Sequence, residues 1–294
     1  MSSKTSERTE RDLPEGVSVR MIDVRGQLLR VAIKEGDRSK PPFLMFNGIG
    51  ANLELGFPFL TALKGRAAIL FDVPGVGGSP MPSLPYRPST LARMAKHLLE
   101  ILEIKEVDVS GVSWGGGLAQ QFARQYPRIC RRLVLVATSS GWTMVPGSPS
   151  VLSKMASIKR YTDKGYMRTI AAEIYGGAFR RDETLILSHA AGMRPSSNAG
   201  YMLQLLAMTG WTSVPWLWCL RQPTLVVSGT DDPLIPVVNA RLLAHLIPNA
   251  RLALVDDGHL FVVTDPEATA ALVEDFLDAP EAEVVAEGLE PRTA

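Results

Sequence analysis

Apolar positions along the chain fall into two alternating rhythms. Short runs rich in β-branched and aliphatic residues recur at Val17–Val24, Leu28–Ile33, Phe43–Phe46, Ala67–Asp72, Glu106–Val112, Arg132–Ala137, Thr224–Ser228 and Arg251–Val255, and each predicts a strand. Several are apolar almost throughout, as in strands covered by helices on both faces. Between them the period lengthens to about 3.6 residues, the helical repeat. Leu91, Met94, Ala95, Leu98 and Leu102 form one such stripe, and Ala268, Leu272 and Phe276 another, both predicted to face a core. Strands alternating with helices predict an α/β fold with a mostly parallel central sheet.

The alternation breaks between residues 141 and 221, a helix-prone stretch rich in methionine and tryptophan with no convincing strand. This predicts a helical cap (141–221) inserted into a core made of residues 14–140 and 222–279. The flanks, 1–13 and 280–294, are polar and charged and are expected to be disordered.

Composition narrows the partners. With 294 residues, 46% of them hydrophobic and a net charge of +1, the chain offers no electrostatic footprint for nucleic acid or an anionic membrane. Its two cysteines, Cys130 and Cys219, lack metal-ligand spacing and read as reduced thiols, so no metal is expected. The polar N-terminus lacks the apolar core of a secretion signal, and no apolar run approaches the roughly 18 residues of a membrane helix. The expected compartment is the cytoplasm. Nothing in the sequence speaks to oligomeric state.

The chemistry concentrates in Gly111-Val112-Ser113-Trp114-Gly115, a G-x-S-x-G pattern directly after a predicted strand and directly before the helical stretch Leu118–Tyr126. That context puts Ser113 on a sharp strand-to-helix turn as nucleophile. An activated serine needs a base, and the base needs a group that holds its tautomer. Of the four histidines, His97, His189 and His245 lie in helical stretches, whereas His259 follows the last predicted core strand in Asp256-Asp257-Gly258-His259. The acid is expected after the preceding strand, in Gly229-Thr230-Asp231-Asp232-Pro233; the G-x-x-D-x-x-x-P spacing favours Asp232 and leaves Asp231 to satisfy the turn. The order Ser, Asp, His, each after a strand, is that of the α/β-hydrolase fold.

The oxyanion is expected to meet the backbone N–H groups of Trp114 and of Ile49, in Asn47-Gly48-Ile49-Gly50 after the strand Phe43–Phe46. Asn47 replaces the histidine common at this position. Gly75-Val76-Gly77-Gly78-Ser79 does not match a dinucleotide fingerprint and reads as a tight turn beside the site. Cap residues Trp142, Met144 and Trp211 are candidates for substrate binding, within a set that also includes Met155, Met193, Met202, Met208, Trp216 and Trp218.

FNGIGANLELGFPF (from Phe46), FDVPGVGGSP (from Phe71), GVSWGGGLAQQFA (from Gly111), IYGGAFRRD (from Ile174), GWTSVPWL (from Gly210), DDPLIP (from Asp231) and DDGHLF (from Asp256) resemble the intracellular depolymerases of medium-chain-length polyhydroxyalkanoates. The resemblance runs from about Val17 to Leu277, cap included. It implies hydrolysis of poly(3-hydroxyalkanoate) esters at storage granules through Ser113, Asp232 and His259, a hydrophobic polyester surface as partner, and no cofactor. A 3-hydroxyacyl transferase or a general carboxylesterase on the same triad, or a non-catalytic granule-binding protein, are the alternatives. Epoxide hydrolase or dehalogenase chemistry is disfavoured, because those enzymes normally carry Asp where this chain has Ser113.

Overall fold

A computed structural model of the chain describes residues 13–157, 159, 163–192, 197–280 and 292–293. Nine strands form one sheet: β1 (Val17–Val24), β2 (Gln27–Lys34), β3 (Phe43–Phe46), β4 (Ala68–Phe71), β5 (Val107–Val112), β6 (Cys130–Val136), β7 (Thr224–Gly229), β8 (Ala250–Val255) and β9 (Arg292–Thr293). Their order is β1-β2-β4-β3-β5-β6-β7-β8-β9. β2 runs antiparallel to both neighbours, and every pair from β4 to β9 is parallel. The β1–β2 hairpin closes through Arg25 and Gly26, both at positive φ (56° and 89°), the backbone a two-residue turn requires.

The helices are α1 (Leu53–Ala62), α2 (Pro88–Ile101), α3 (Trp114–Gln125), α4 (Pro149–Ala156), α5 (Lys164–Tyr175), α6 (Ala178–Arg181), α7 (Glu183–Gly192), α8 (Asn198–Met208), α9 (Val238–Leu246), α10 (Phe261–Thr264) and α11 (Pro266–Asp278), with a 3-10 turn at Val214–Cys219. Two apolar layers sandwich the sheet. On one face Leu91, Leu98, Leu118, Phe122 and Leu243 pack beneath α2, α3 and α9. On the other, Phe57, Leu60, Val273 and Phe276 pack beneath α1 and α11. The eight predicted strands occur within two residues of their expected ends, and the α2 stripe is buried or packed against the core as expected.

Two expectations change. In α11 the buried face runs through Thr269, Ala270, Val273, Phe276 and Leu277, while Ala268 is exposed. Ala268 lies in the first turn after Pro266, and the i, i+3, i+4 spacing that carries Val273, Phe276 and Leu277 to the sheet turns it outward. The second is β9, which pairs Arg292 with Ala253 and Thr293 with Leu254 in a tail expected to lack structure; the remainder of both predicted disordered tails lies largely outside the described residues.

Between β6 and β7 the described residues form α4 to α8 and the 3-10 turn, with no named strand. Serine and aspartate side chains start three of these helices: Ser148 accepts from Val151 N–H, Asp163 from Tyr166 N–H and Ser197 from Gly200 N–H. A separate apolar cluster forms there around Val151, Met167, Ile170, Ile174 and Phe179, and Leu234 and Ile235 of the core join it. The entry and exit of the segment are tied together: Gly141 bridges Thr212, Trp142 N–H donates to Trp211 O at 2.8 Å, and Ser213 N–H donates to Ser140 O at 3.0 Å. Among the described residues no helix is long and apolar enough to cross a membrane.

The site follows from the strand order. From β3 the chain steps to β4 on one side and then crosses back to β5 on the other, so the carboxyl ends of β3 and β5 flank the point where winding reverses. Open α/β sheets place their ligand crevice there.

Candidate active site

Ser113 joins β5 to α3 at φ 54° and ψ −117°, a backbone conformation L residues rarely adopt. The two flanking glycines make that turn possible. A Cβ at Gly111 would lie 2.1 Å from Gly115 O, and one at Gly115 would lie 2.2 Å from Phe46 O, so neither position admits a side chain. The turn is held by Ser113 N–H to Val136 O (2.9 Å) and by the Thr138 hydroxyl donating to Ser113 O (2.6 Å).

Beyond β7, Asp232 is buried and both of its carboxylate oxygens are hydrogen-bonded. Oδ1 accepts the N–H groups of Leu234 (2.9 Å) and Ile235 (2.8 Å), and Oδ2 lies 2.7 Å from Nδ1 of His259, also buried. His259 lies in the loop between β8 and α10, and Ser113 and His259 line one cavity. The structure thus brings the three expected residues to the same end of the sheet. Asp231 does something else: it pairs with Arg180 (2.7 Å) and accepts Gly177 N–H (2.8 Å). Asp257 plays a matching part, accepting the N–H groups of Ala178 (2.6 Å) and Gly258 (2.7 Å).

The residues that seat His259 were not foreseen. Tyr175 O accepts His259 N–H at 2.6 Å, and the two rings lie nearly parallel with centroids 6.4 Å apart. Gly176 and Gly177 follow at φ 67° and 49°, packed so closely that a Cβ at Gly176 would meet Asp231 O at 2.1 Å and one at Gly177 would meet Gly258 N at 1.9 Å. The inserted segment therefore clamps the Asp232 loop and the His259 loop together. The paired glycines in IYGGAFRRD were the available signal.

The loop after β3 lies against the Ser113 turn, with a Cβ at Gly48 falling 3.8 Å from Ser113 Cβ. Asn47 uses its amide inside this loop, donating to Asn52 O at 3.0 Å. Downstream, Leu53 N–H at the start of α1 donates to Asp72 Oδ1 (2.8 Å), and the Gly75–Ser79 turn wraps the same carboxylate through Gly78 N–H (2.8 Å). Burial pushes the Asp72 carboxyl up to about 6, opposed by Gly78 N–H and the Arg30 guanidinium. That turn thus holds a protein carboxylate.

Residues 41–266 match the model of the alpha/beta hydrolase fold family. The chain belongs to the alpha/beta hydrolase family. It is 50% identical over 266 residues to a poly(3-hydroxyalkanoate) depolymerase of Ectopseudomonas oleovorans, covering 90% of this chain and 94% of that one. It is 32% identical over 259 residues to a pimeloyl-[acyl-carrier protein] methyl ester esterase of Aromatoleum aromaticum, covering 81% of this chain and 99% of that one. A hydrolase of Pseudomonas aeruginosa superposes with a TM-score of 0.76 at 25% identity, over 89% of this chain and 99% of that one. The likeness to the polyhydroxyalkanoate depolymerases noted in the sequence is borne out.

In this alpha/beta hydrolase Ser113 sits between two cavities. The smaller, about 60 Å³, is lined by Ser113, His259, Tyr175 and His189 among others. The larger, about 570 Å³, is mostly apolar and extends from Ser113, Ile49 and Trp114 under the inserted helices. Trp142, Met144 and Trp211 all line it, as do Met155 and Met208; Trp142 is 70% exposed, at its rim. Of the other apolar residues singled out in the segment, Trp216 stacks edge-on against Trp211 at 6.0 Å, Met202 and Trp218 are exposed, and Met193 lies outside the described residues. Among the described residues no group of His, Cys, Asp or Glu side chains is placed to hold a metal ion.

Proposed function

We propose that this chain hydrolyses the ester bonds of medium-chain-length poly(3-hydroxyalkanoates) through an acyl-enzyme on Ser113. The observation that carries the reading is the buried Asp232–His259 hydrogen bond beside Ser113, at the mouth of a large apolar cavity. His259 takes the Ser113 proton as Oγ attacks the ester carbonyl. Asp232 fixes Nδ1–H and leaves Nε2 as the base. The N–H groups of Trp114 and Ile49 receive the oxyanion, and His259 then protonates the departing hydroxyl of the polymer. Water, deprotonated by His259, releases a 3-hydroxy acid or a short oligomer. Every step uses side chains, backbone amides and water, and none calls on a cofactor.

Residues 141–221 act as a cap whose Trp142, Met144 and Trp211 hold the alkyl side chains of the polyester. Half-sequence identity to a poly(3-hydroxyalkanoate) depolymerase supports the polymer, and the apolar cavity suits aliphatic chains. The enzyme works in the cytoplasm at the surface of the polyester granule, with no nucleic-acid partner. Titration of the acid released from emulsions of poly(3-hydroxyoctanoate) and poly(3-hydroxybutyrate), with Ser113→Ala as control, tests this. Ser113-dependent release from the medium-chain polymer is expected. Cleavage of p-nitrophenyl esters with no release from polymer would overturn the polymer reading and leave a small-ester esterase or a 3-hydroxyacyl transferase.

A further inference from the structure

One residue of the inserted segment is bonded on both sides of the proposed oxyanion hole. Gln204 lies in α8 and is almost fully buried, at 1% exposure. Its side-chain Oε1 accepts the N–H of Gly50 at 2.7 Å. Its backbone oxygen accepts the indole Nε1–H of Trp114 at 3.0 Å. Gly50 follows Ile49 directly and Trp114 follows Ser113 directly, so a single residue is bonded to the partner or neighbour of each proposed donor.

The physical consequence concerns peptide planes. The Ile49–Gly50 plane is set by its N–H pointing at Gln204, with Gly50 at φ 71°. That plane constrains ψ of Ile49, and through it the Gly48–Ile49 plane whose N–H is to face the oxyanion. On the other side the Trp114 indole, pinned to α8, fixes the first residue of α3, whose amide has no acceptor within its own helix. α8 is itself held firmly. Ser197 caps its start and bonds Gly75 O, and Arg87 donates to Leu206 O (3.2 Å) and Thr209 O (3.0 Å) at its end.

We infer that Gln204 is a positioning residue that couples the docking of α8 to the assembly of the oxyanion hole. An oxyanion hole works because its donors are already aimed before charge develops, and a misplacement of about 1 Å can cost about 100-fold in rate. With α8 seated, the Gln204 side chain holds the Ile49–Gly50 plane, and its backbone oxygen anchors the Trp114 indole beside the second donor. The inference rests on the assignment of Ile49 and Trp114 as donors.

The test uses the full chain and p-nitrophenyl butyrate, so it does not depend on the polymer. Turnover by the wild type and its loss in Ser113→Ala report on the hydrolase assignment alone. Gln204→Leu, which keeps the bulk and removes the acceptor, is expected to lower kcat by about tenfold to 100-fold with KM nearly unchanged. An alkyl boronic acid, which Ser113 converts to a tetrahedral adduct, should bind more weakly by the same factor. Gln204→Glu retains an acceptor and should recover most of kcat. Leu203→Ala, one residue away and packed on the core, should lower thermal stability while leaving kcat as it was. A folded Gln204→Leu with wild-type kcat and wild-type boronate affinity overturns the inference. If that variant does not fold, Gln204→Asn, which withdraws the acceptor by one methylene, carries the same expectation and the same refutation.

Discussion

The backbone N–H of His259 donates to the carbonyl oxygen of Tyr175 at 2.6 Å, and the Tyr175 ring lies parallel to the imidazole, tilted by 6°. The proposed base is therefore seated by a residue of the inserted segment as well as by its own loop. Gly177 makes the approach possible. Alanine there would put Cβ 1.9 Å from Gly258 N and 2.0 Å from Asp257 Oδ1, at a φ of 49°. Because both obstacles belong to the loop that ends in His259, Gly177→Ala is expected to displace the base and reduce kcat by about 100-fold or more. Gly26→Ala is the control: its φ is 89° but its Cβ meets nothing within 4 Å. It should cost about 1 kcal/mol of stability and leave kcat unaltered. Equal kcat in the two variants would mean the clamp does not position His259.

Asparagine at position 232, the proposed acid, should fail for a reason visible in the hydrogen bonds. Oδ1 of Asp232 accepts two backbone N–H groups, so an amide at this position must keep its oxygen there and turn its NH₂ toward His259 Nδ1. That forces the proton onto Nε2, where the imidazole can no longer receive one from Ser113. Asp232→Asn is expected to lower kcat by about 10⁴-fold with little change in fold. Asp231→Asn removes a partly exposed ion pair with Arg180 and should leave kcat within about threefold. Steady-state rates on p-nitrophenyl butyrate decide between the two acids, and a larger loss at Asp231 would reverse their roles.

How far the chain could be read in advance depended on the range of the signal. Strand positions are local, set by runs such as Leu133–Val136 and Leu225–Val227 that are buried on both sheet faces. Ser113, Asp232 and His259 each follow such a strand, so motif and strand together locate them. Tyr175, Gly177 and Gln204 act across 84, 81 and 154 residues of sequence, on His259, Gly258 and Gly50 respectively. No periodicity encodes a contact at that separation. In α11 only the first turn departs from expectation, with Ala268 exposed while Leu272 and Phe276 pack on the core, because an i, i+4, i+8 stripe matches a helix without fixing which side of its first turn is wet.

Asp72 gives the fold a pH dependence of defined sign. An ordinary aspartate in the unfolded chain loses its proton near pH 4, whereas burial holds the Asp72 carboxyl at about 6 in the fold. Between those values the folded chain keeps a proton that the unfolded chain has released, so stability falls as pH rises through the window and levels off above it. Arg30 and Glu54 are the charged groups that face it; the Arg30–Asp72 distance is 3.3 Å and the Arg30–Glu54 distance 2.7 Å. Chemical denaturation of wild type and Asp72→Asn from pH 4.5 to 6.5 should show the wild type losing stability, by about 2 kcal/mol, relative to the variant. Parallel curves would show that the carboxyl titrates normally.

The larger cavity is proposed to receive the acyl chain, and Gly117 offers a way to shrink it without unfolding the protein. A Cβ at Gly117 would fall 2.8 Å from the terminal methyl of Met208 and 3.1 Å from the Trp211 ring. The Trp211 indole is fixed by its Nε1–H to Gln121 Oε1 (2.7 Å), so the flexible methionine is the group that yields, and the space open to it is the cavity both residues line. Alanine also stabilises the interior of α3 by about 1 kcal/mol relative to glycine, which offsets the crowding. Gly117→Ala should therefore stay folded while its kcat/KM for p-nitrophenyl decanoate drops by about tenfold relative to p-nitrophenyl butyrate. An unchanged chain-length profile in a folded variant would place the acyl chain elsewhere, and the smaller cavity beside Tyr175 and His189 would then have to take it.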